Sequence, residues 1–344
     1  MKTIIVTGGA GYIGSHTIIE LIENTNYRVV SIDNFSNSFP KTYERIEKIT
    51  GVKIDHYDID LCDKQAVKEV FQKENEVEGI VHFAAFKSVP ESVENPYKYF
   101  HNNFESLLNV VEIALEKNIS NLIFSSSCSV YGNISSLPVN EETPFNKAES
   151  PYAYTKQVGE EMLITYTNRF KNLQVAALRY FNPVGAHFSG LNGELPIHKP
   201  TSLVPVITQT AIGIIEQMAV FGDDYITRDG SCIRDYIHVT DIAQAHIKAL
   251  EYLVEQKNKS NFTVINLGSG EGVSVFEAIE AFEKATGEKL NYIVKPRREG
   301  DVEAIYSDTT KSQKELNWKT THTIEQMMSS AWKWQQNLEK EESK

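Results

Sequence analysis

Short runs of apolar residues alternate with longer amphipathic segments through the first half of the chain. Apolar residues at helical spacing predict helices between the runs, among them Lys64–Lys73, Asn103–Lys117 and Tyr152–Arg169. The strands predicted from the runs are Thr3–Thr7, Arg28–Ile32, Lys53–Tyr57, Gly79–Phe83, Asn121–Ser125 and Val175–Arg179. Alternation of this kind is typical of a parallel sheet covered on both faces, so we predict a doubly wound α/β fold.

The pattern becomes loop-like after Phe181. Gly and Pro recur from Asn182 to Pro205, and a second irregular segment runs from Lys295 to Asp301. We therefore predict a smaller α/β substrate-binding lobe built from the C-terminal half. The predicted boundaries are 1–181 for the large domain, with 235–265 returning to it, 182–234 and 266–338 for the lobe, and 339–344 for a solvated tail.

The charge of the chain narrows the range of partners. The 344 residues carry a formal net charge of -12, which disfavours binding to nucleic acid or to an anionic membrane surface but leaves room for a local basic pocket. The start of the chain has no signal-peptide layout, and no apolar run approaches the length of a membrane span. We expect a cytoplasmic protein without nucleic-acid or membrane partners.

Cysteine and histidine spacing gives no sign of a metal site. Cys62, Cys128 and Cys232 are scattered without a C-x-x-C pair, which suits a reducing compartment. The nine histidines show no ligand spacing such as H-E-x-x-H. We therefore predict that the protein holds no metal.

A glycine-rich loop directly follows the first predicted strand. Residues 7–14 read T-G-G-A-G-Y-I-G and open a predicted helix, which is the arrangement that lets a backbone approach a pyrophosphate at a helix N-terminus. Asp33 ends the second strand about twenty residues later, where a carboxylate binds the adenosine ribose and repels a 2′-phosphate. The large domain is therefore predicted to be a Rossmann-type domain that binds NAD rather than NADP.

Two further strand ends supply candidate cofactor contacts. Ligands of such sheets lie outside the carboxyl ends of the strands. Asp60 and Leu61 close the third strand region, where Asp60 would flank the adenine. Phe83, Ala84 and Lys87 lie at or just beyond the end of the fourth strand, where Lys87 would approach the ribose or the nicotinamide.

The stretch Ser150–Lys156, S-P-Y-A-Y-T-K, predicts a catalytic tyrosine. Ser150 and Pro151 are suited to the start of a helix, so that Tyr152 lies in its first turn, Lys156 one turn further on the same face, and Tyr154 on another side. Lowering a phenol pKa from about 10 to about 7 requires roughly 4 kcal/mol. The Lys156 ammonium, the helix N-terminus and the nicotinium of oxidised NAD are the expected sources.

These features together resemble the extended short-chain dehydrogenases/reductases. By that resemblance Tyr152 and Lys156 form the catalytic set with Ser127, the last of three serines after the fifth strand. The motifs T-G-G-A-G-Y-I-G-S-H, D-N-F-S-N-S, S-V-Y-G, R-Y-F-N-P-V-G-A-H, R-D-Y-I-H-V-x-D and R-R-E-G-D further resemble UDP-glucose 4-epimerase over nearly the whole chain. The resemblance implies a UDP-hexose substrate, retained NAD and a homodimer formed through two helices of the large domain.

The resemblance also assigns individual residues. Arg234 and Arg298 match diphosphate-binding arginines, Asn182 and Phe221 match sugar-side and uracil-side contacts, and Asp301 matches a ribose contact. Ser202 and Leu203 align with a substrate-binding N-N-L stretch, with Ser202 in place of an amide. For NAD the resemblance implies contacts by Asp33, Asn34, Asn37, Ser38, Asn102 and Tyr180. The full set of residues predicted to bind NAD also contains Gly8, Gly11, Tyr12, Ile13, Gly14, Asp60, Leu61, Phe83, Ala84, Lys87, Tyr152 and Lys156.

Several alternatives stay open at this point. Ile305 occupies the family position whose bulk decides whether an N-acetyl group fits, and its intermediate size predicts UDP-glucose and UDP-galactose as substrates with some tolerance of acetylated sugars. A UDP-uronate epimerase shares the serine run. A 4,6-dehydratase would need an acid pair where Ser127 is followed by Cys128 and Ser129. A non-catalytic NAD-sensing protein would not need the catalytic pair.

Overall fold

The computed structural model describes residues 1–134, 136–298 and 301–342, which form 13 strands and 11 α-helices. Glu299 and Gly300 of the R-R-E-G-D motif and the last two residues of the predicted tail lie outside the described residues. The final helix, Ile324–Glu342, includes residues 339–342, so this part of the predicted solvated tail is helical. No helix in the described ranges is long and apolar enough to cross a membrane.

Seven parallel strands form the large sheet, which confirms the predicted fold class. They are β1 Thr3–Thr7, β2 Arg28–Asp33, β3 Asp55–Asp58, β4 Val77–His82, β5 Asn121–Ser127, β6 Gln174–Tyr180 and β10 Phe262–Leu267. The order across the sheet is β10-β6-β5-β4-β1-β2-β3. The order reverses between β1 and β4, and open sheets of this type bind ligands in the crevice at such a point.

Helices cover both faces of the large sheet because successive strand residues point to opposite sides. Ile4 and Val6 of β1 pack on the side of helices α1 (Tyr12–Asn24) and α8 (Val239–Val254). Ile5 packs on the opposite side, against helices α3 (Lys64–Lys73), α5 (Pro96–Glu116) and α6 (Pro151–Arg169). Both sets are apolar, as expected for a parallel sheet buried on two faces. The large domain also contains helices α2 Lys41–Thr50 and α4 Val89–Glu94.

Helix α5 begins earlier than the sequence pattern predicts. The prediction placed its start at Asn103, whereas the helix begins at Pro96. The Asn95 side chain caps it by accepting a hydrogen bond from the Lys98 backbone N–H at 3.3 Å. Asn at the cap and Pro at the first helical position form a local start signal that the apolar spacing did not include.

Smaller sheets form the second lobe. Strand β9 (Ile233–His238) pairs with three short strands, β7 (Asn182–Val184), β11 (Gly272–Ser274) and β13 (Ala304–Ile305). Strand β8 (Met218–Phe221) pairs with β12 (Tyr292–Lys295). The helices of this region are α7 Leu203–Ala211, α9 Val275–Thr286 and α11 Ile324–Glu342, whereas α10 Thr310–Leu316 packs against α8 and β10 of the large domain. Strand β10 and helix α8 pack with the large sheet, so the chain returns to that sheet between β9 and β11.

Candidate active site

The glycine-rich loop joins β1 to α1 at the carboxyl edge of the large sheet. Gly8 has a φ of +71°, and a Cβ at this position would lie 2.7 Å from the Ala84 backbone nitrogen. A Cβ at Gly14 would lie 2.3 Å from the Gly8 carbonyl oxygen. Helix α1 starts after Gly11 without a side-chain cap, so its first N–H groups are left for another acceptor. This cradle fits the pyrophosphate of a dinucleotide.

Asp33 holds the glycine-rich loop and the turn after β2 together. Its carboxylate accepts hydrogen bonds from the Ala10 N–H at 3.0 Å, the Phe35 N–H at 3.0 Å and the Ser38 hydroxyl at 2.8 Å. Burial raises the pKa of Asp33, and these three hydrogen bonds oppose that rise. A carboxylate has about four acceptor positions, so one position is left for a ribose hydroxyl.

The other candidate cofactor residues of the large domain come after the carboxyl ends of β1 to β4, except Asn102, which lies within helix α5. The Asn102 carbonyl lies 3.9 Å from the Cys62 Sγ, which places helix α5 beside the segment after β3. Leu61 is buried, whereas Asn37 and Asp60 are exposed. The residues of this group are Ile13, Asn34, Asn37, Asp60, Leu61, Phe83, Ala84 and Asn102. Their contacts with a cofactor stay predictions.

Lys87 and Tyr12 connect this edge of the sheet to the segment after β7. The Lys87 ammonium forms an ion pair with Glu194 at 2.9 Å and lies 5.8 Å from the centroid of the Tyr12 ring. The Tyr12 hydroxyl donates a hydrogen bond to the Gly185 carbonyl at 2.6 Å. The glycine-rich loop is therefore attached to the segment that leads into the second lobe.

Helix α6 begins as its sequence predicts. The Ser150 hydroxyl accepts a hydrogen bond from the Ala153 N–H at 3.1 Å, and Pro151 is the first helical residue, which confirms the predicted cap. Tyr152 lies in the first turn and Lys156 one turn further. Tyr154 points away from this pair, is 49% exposed and packs edge-on against Phe100.

Lys156 is buried between helix α6 and the end of β5. Its ammonium donates hydrogen bonds to the Ser125 carbonyl at 2.6 Å and to the Ser125 hydroxyl at 3.4 Å, and it lies 6.0 Å from the centroid of the Tyr152 ring. Burial lowers the pKa of Lys156 to about 7, while the nearby Glu160 raises it. The contact with Ser125 was not predicted from the sequence.

The electrostatics of Tyr152 differ from the sequence-based expectation. Burial raises the pKa of Tyr152 to about 12, and a hydrogen bond with Ser127 only partly opposes that rise. Desolvation of the phenol therefore outweighs the hydrogen bond with Ser127.

Tyr180 lies beside this group at the end of β6. Its hydroxyl is hydrogen-bonded to the Nε2 of His246 at 2.6 Å, and the side chain is buried. Burial raises the pKa of Tyr180 well above its ordinary value, with Tyr152 as a second contributor. Tyr180 is thus close to the Tyr152 phenol, and its predicted contact with NAD stays a prediction.

A buried ion pair joins helix α6 to strand β6. Glu160, one turn after Lys156, accepts hydrogen bonds from Arg179 at 2.7 and 2.9 Å and from the Ser126 hydroxyl at 2.5 Å. Arg179 also donates to the Tyr131 hydroxyl at 2.9 Å. The Arg179 side chain is 4% exposed and the Glu160 side chain 1%. Sequence reasoning missed this pair, although a Glu four residues after Lys156 was a visible signal.

Four of the predicted substrate residues come together in the second lobe. Asp301 accepts hydrogen bonds from Arg298 at 2.7 and 3.2 Å, and a guanidinium nitrogen of Arg234 lies 3.9 Å from the same carboxylate. The Arg298 guanidinium lies 5.4 Å from the centroid of the Phe221 ring. Two cations around one carboxylate leave a locally positive surface, as expected for binding an anion.

The remaining predicted substrate residues are arranged around β9 and α7. Asn182 on β7 pairs with Tyr236, and Ile305 on β13 pairs with Arg234. Leu203 starts α7 and packs against the hydrophobic core of the second lobe. Ser202 precedes it without a side-chain capping bond, and its substrate contact stays a prediction.

The chain is similar to characterised proteins over nearly its full length. A family model described as GDP-mannose 4,6 dehydratase matches residues 5–331. The UDP-glucose 4-epimerase of Drosophila melanogaster is 43% identical over 97% of this chain and 96% of its own, and that of Bacillus subtilis is 44% identical over 96% of each. A crystal structure of UDP-glucose-4-epimerase from Stenotrophomonas maltophila, with bound NAD and formylated UDP-arabinopyranose, has a TM-score of 0.95 at 40% identity, covering 99% of this chain and 100% of that one.

Replacing Glu160 by Gln should strongly destabilise the protein. The variant leaves the buried Arg179 guanidinium without a counter-charge, and we expect a loss of about 3 kcal/mol in the free energy of unfolding, measured by urea denaturation. The double variant Glu160→Leu with Arg179→Met removes both charges, so its free energy of unfolding should fall by less than that of Glu160→Gln. Equal stability of Glu160→Gln and the wild type would contradict a structural role for the pair.

Proposed function

Because this chain belongs to the family of UDP-glucose 4-epimerases, we propose that it interconverts UDP-glucose and UDP-galactose by inverting the configuration at C4 of the hexose. It is then an NAD-dependent isomerase. The observation that carries this function is the Tyr152–Lys156 pair on helix α6, which lies at the same sheet edge as the glycine cradle. The rest of the site supplies the groups that such a reaction requires.

NAD is the cofactor that these residues suit. When bound, it accepts a hydride from C4 of the hexose and returns it. Gly8, Gly11 and Gly14 make room for the pyrophosphate, and Asp33 offers an acceptor to the adenosine ribose. A carboxylate at that position also repels the 2′-phosphate of NADP. Because the hydride returns to the sugar, no second redox substrate is required.

Tyr152 is the proposed acid and base. Its phenolate takes the proton of the 4′-hydroxyl as the hexose loses a hydride from C4, and the phenol gives the proton back once the 4-ketose has turned over. Ser127 bridges the sugar hydroxyl and Tyr152. The Lys156 ammonium and the positive charge of an oxidised nicotinamide would both stabilise the phenolate and so lower the phenol pKa from about 12.

Arg234 and Arg298 are the proposed diphosphate ligands. Guanidinium groups form charge-assisted, bidentate hydrogen bonds with phosphate. Both groups already face the Asp301 carboxylate, so a bound diphosphate and the UDP ribose would share this cluster. Phe221 is proposed for the uracil, and Asn182, Ser202 and Leu203 for the sugar side. A locally basic site explains how a chain of net charge -12 binds an anionic substrate.

Ile305 governs the proposed choice between plain and N-acetylated sugars. It is 6% exposed and packs with Val130, Val139 and Phe181. A branched side chain held in a packed cluster leaves less room than a small residue and more than a tyrosine. We therefore propose UDP-glucose and UDP-galactose as the main substrates, with UDP-N-acetylhexosamines as slower ones.

Other functions fit the site less well. The matched family model is described as a 4,6 dehydratase, but Cys128 and Ser129 follow Ser127 where elimination of water needs acidic side chains. A UDP-uronate epimerase would use the same serine run, yet the R-Y-F-N-P-V-G-A-H segment resembles UDP-glucose 4-epimerases more closely. A purely NAD-sensing protein would not require Tyr152 and Lys156.

We also propose a cytoplasmic homodimer that acts in galactose metabolism. The three cysteines are free, as expected in a reducing compartment. Helices α5 and α6 pack side by side and expose large apolar side chains: Tyr97 is 75%, Tyr154 49% and Ile164 39% exposed. Exposed apolar groups on adjacent helices favour a protein–protein interface.

Proton NMR of the purified protein with UDP-galactose, without added NAD, tests the proposed function. We expect conversion to UDP-glucose, and conversion of UDP-N-acetylgalactosamine at about a tenth of that rate or less. Faster conversion of the acetylated sugar would reverse the assigned preference. No conversion of either sugar, even after NAD is supplied, would rule out the epimerase.

Tyr152→Phe should lose epimerase activity while keeping the fold. Removal of the proton-transferring hydroxyl is expected to lower kcat about 100-fold or more, measured with UDP-galactose. Tyr154→Phe is the matched control, because it removes a hydroxyl two residues away on the same helix and should keep wild-type kcat. Similar activity of the two variants would exclude Tyr152 as acid and base.

The dimer is tested by sedimentation equilibrium. The wild type should sediment as a dimer, and Tyr97→Glu combined with Ile164→Glu should yield monomers because charges are buried against apolar surface. Ile226→Glu introduces the same charge at a residue that is 92% exposed in the second lobe and should leave the dimer intact. A monomeric wild type would exclude the proposed assembly.

A further inference from the structure

Asp235 on β9 is a fully buried carboxylate that the proposed chemistry does not use. It accepts hydrogen bonds from the Ser269 N–H at 2.7 Å and the Ser269 hydroxyl at 2.6 Å through one oxygen. Its other oxygen accepts from the Ser307 N–H at 3.0 Å, the Ser307 hydroxyl at 2.7 Å and the Gly270 N–H at 3.2 Å. Each of these donors is neutral, so the charge is held by hydrogen bonds from two separate segments.

One of those segments carries Ile305. Strand β13 pairs with β9 so that Ile305 lies opposite Arg234, and Ser307 follows two residues later. On the other side, the Val139 N–H donates to the Tyr306 carbonyl at 3.0 Å, and the Asp308 N–H donates to the Val139 carbonyl at 2.8 Å. The segment around Ile305 is thus held between β9 and Val139, and Asp235 supplies a side-chain anchor for it.

Arg234 and Asp235 divide two tasks on the same strand. Successive residues of a strand point to opposite faces. Arg234 faces Asp301 on the substrate side, whereas Asp235 faces Ser269 and Ser307. A single strand therefore presents the proposed phosphate ligand on one side and, on the other, anchors the segment that carries Ile305.

Gly268 provides independent support for this arrangement. A Cβ at this position would lie 2.3 Å from the Ser307 hydroxyl oxygen and 2.4 Å from a carboxylate oxygen of Asp235. The turn after β10 thus has a residue without a side chain where the Asp235–Ser307 contact needs space. The Asp235–Ser307 contact therefore depends on the backbone of three segments, which are β9, the turn at Gly268 and the residues after β13.

We propose that Asp235 is a positioning residue for substrate specificity. By fixing Ser307 it holds Ile305 at a set distance from the hexose, so the exclusion of an N-acetyl group at C2 depends on Asp235 as well as on the size of residue 305. This role rests on the proposed function. It predicts that loosening the anchor admits larger sugars without any change at Ile305.

Asp235→Asn tests the role. An amide has one acceptor oxygen, and its NH₂ group must face either the Ser269 N–H or the Ser307 N–H, neither of which can turn to accept a hydrogen bond. The measured quantity is the ratio of kcat/KM for UDP-N-acetylgalactosamine to that for UDP-galactose. We expect this ratio to rise about tenfold, the range in which a pocket discriminates a small group.

Asp241→Asn is the matched control. Asp241 is also fully buried and accepts hydrogen bonds from Thr321 at 2.8 Å and 3.2 Å and from His322, but these anchor the segment before α11. This variant should lose stability while keeping the wild-type ratio. An equal rise in both variants would overturn the role, because it would reflect general loosening.

Ser307→Ala keeps the test decisive if Asp235→Asn does not fold. It removes only the hydroxyl contact at 2.7 Å, and we expect a smaller rise of the ratio in the same direction. A wild-type ratio in Ser307→Ala and in any folded Asp235→Asn would overturn the positioning role alone. A wild type that converts neither sugar would overturn the proposed function, and the positioning role with it.

Discussion

The parallel direction of the seven strands in the large sheet is the constraint on which the site depends. Every strand brings its carboxyl end to the same edge, so residues far apart in sequence meet there. Gly8 after β1, Asp33 at the end of β2 and Ser127 at the end of β5 are examples. An antiparallel sheet with the same residues would place half of them at the opposite edge.

This arrangement buries several charged side chains, and hydrogen bonds or an ion pair offset the loss of hydration of each. The ammonium of Lys156 is held by Ser125, Glu160 is paired with Arg179, and Asp235 is surrounded by neutral donors. The phenol of Tyr152 is instead neutral, because burial raises its pKa to about 12 despite the hydrogen bond with Ser127. A cation bound beside the phenol would favour its ionised form, which would link cofactor binding to activation of the proposed base.

In the second lobe, strand β9 brings the predicted substrate residues together, as the large sheet does for the predicted cofactor residues. It pairs with β7, β11 and β13, and thereby sets Asn182, Arg234 and Ile305 relative to one another. The hydrogen bond from the Tyr12 hydroxyl to the Gly185 carbonyl joins this lobe to the glycine-rich loop. The Asn192 amide also donates a hydrogen bond to the Ser15 hydroxyl, and Arg45 lies over the Trp334 ring, so the two lobes are joined at several points.

The sequence by itself determined the features that depend on neighbouring residues. Strand Thr3–Thr7, helix Lys64–Lys73 and the Ser150 cap were predictable because apolar spacing and capping are local. The α/β class followed from the alternation of elements. Only the tertiary structure decided that Arg179 pairs with Glu160 and that Asp235 binds Ser269 and Ser307, since these partners are chosen by how distant segments pack. It also decided the electrostatics of Tyr152, because desolvation depends on everything packed around the side chain and not on the Tyr-x-x-x-Lys spacing.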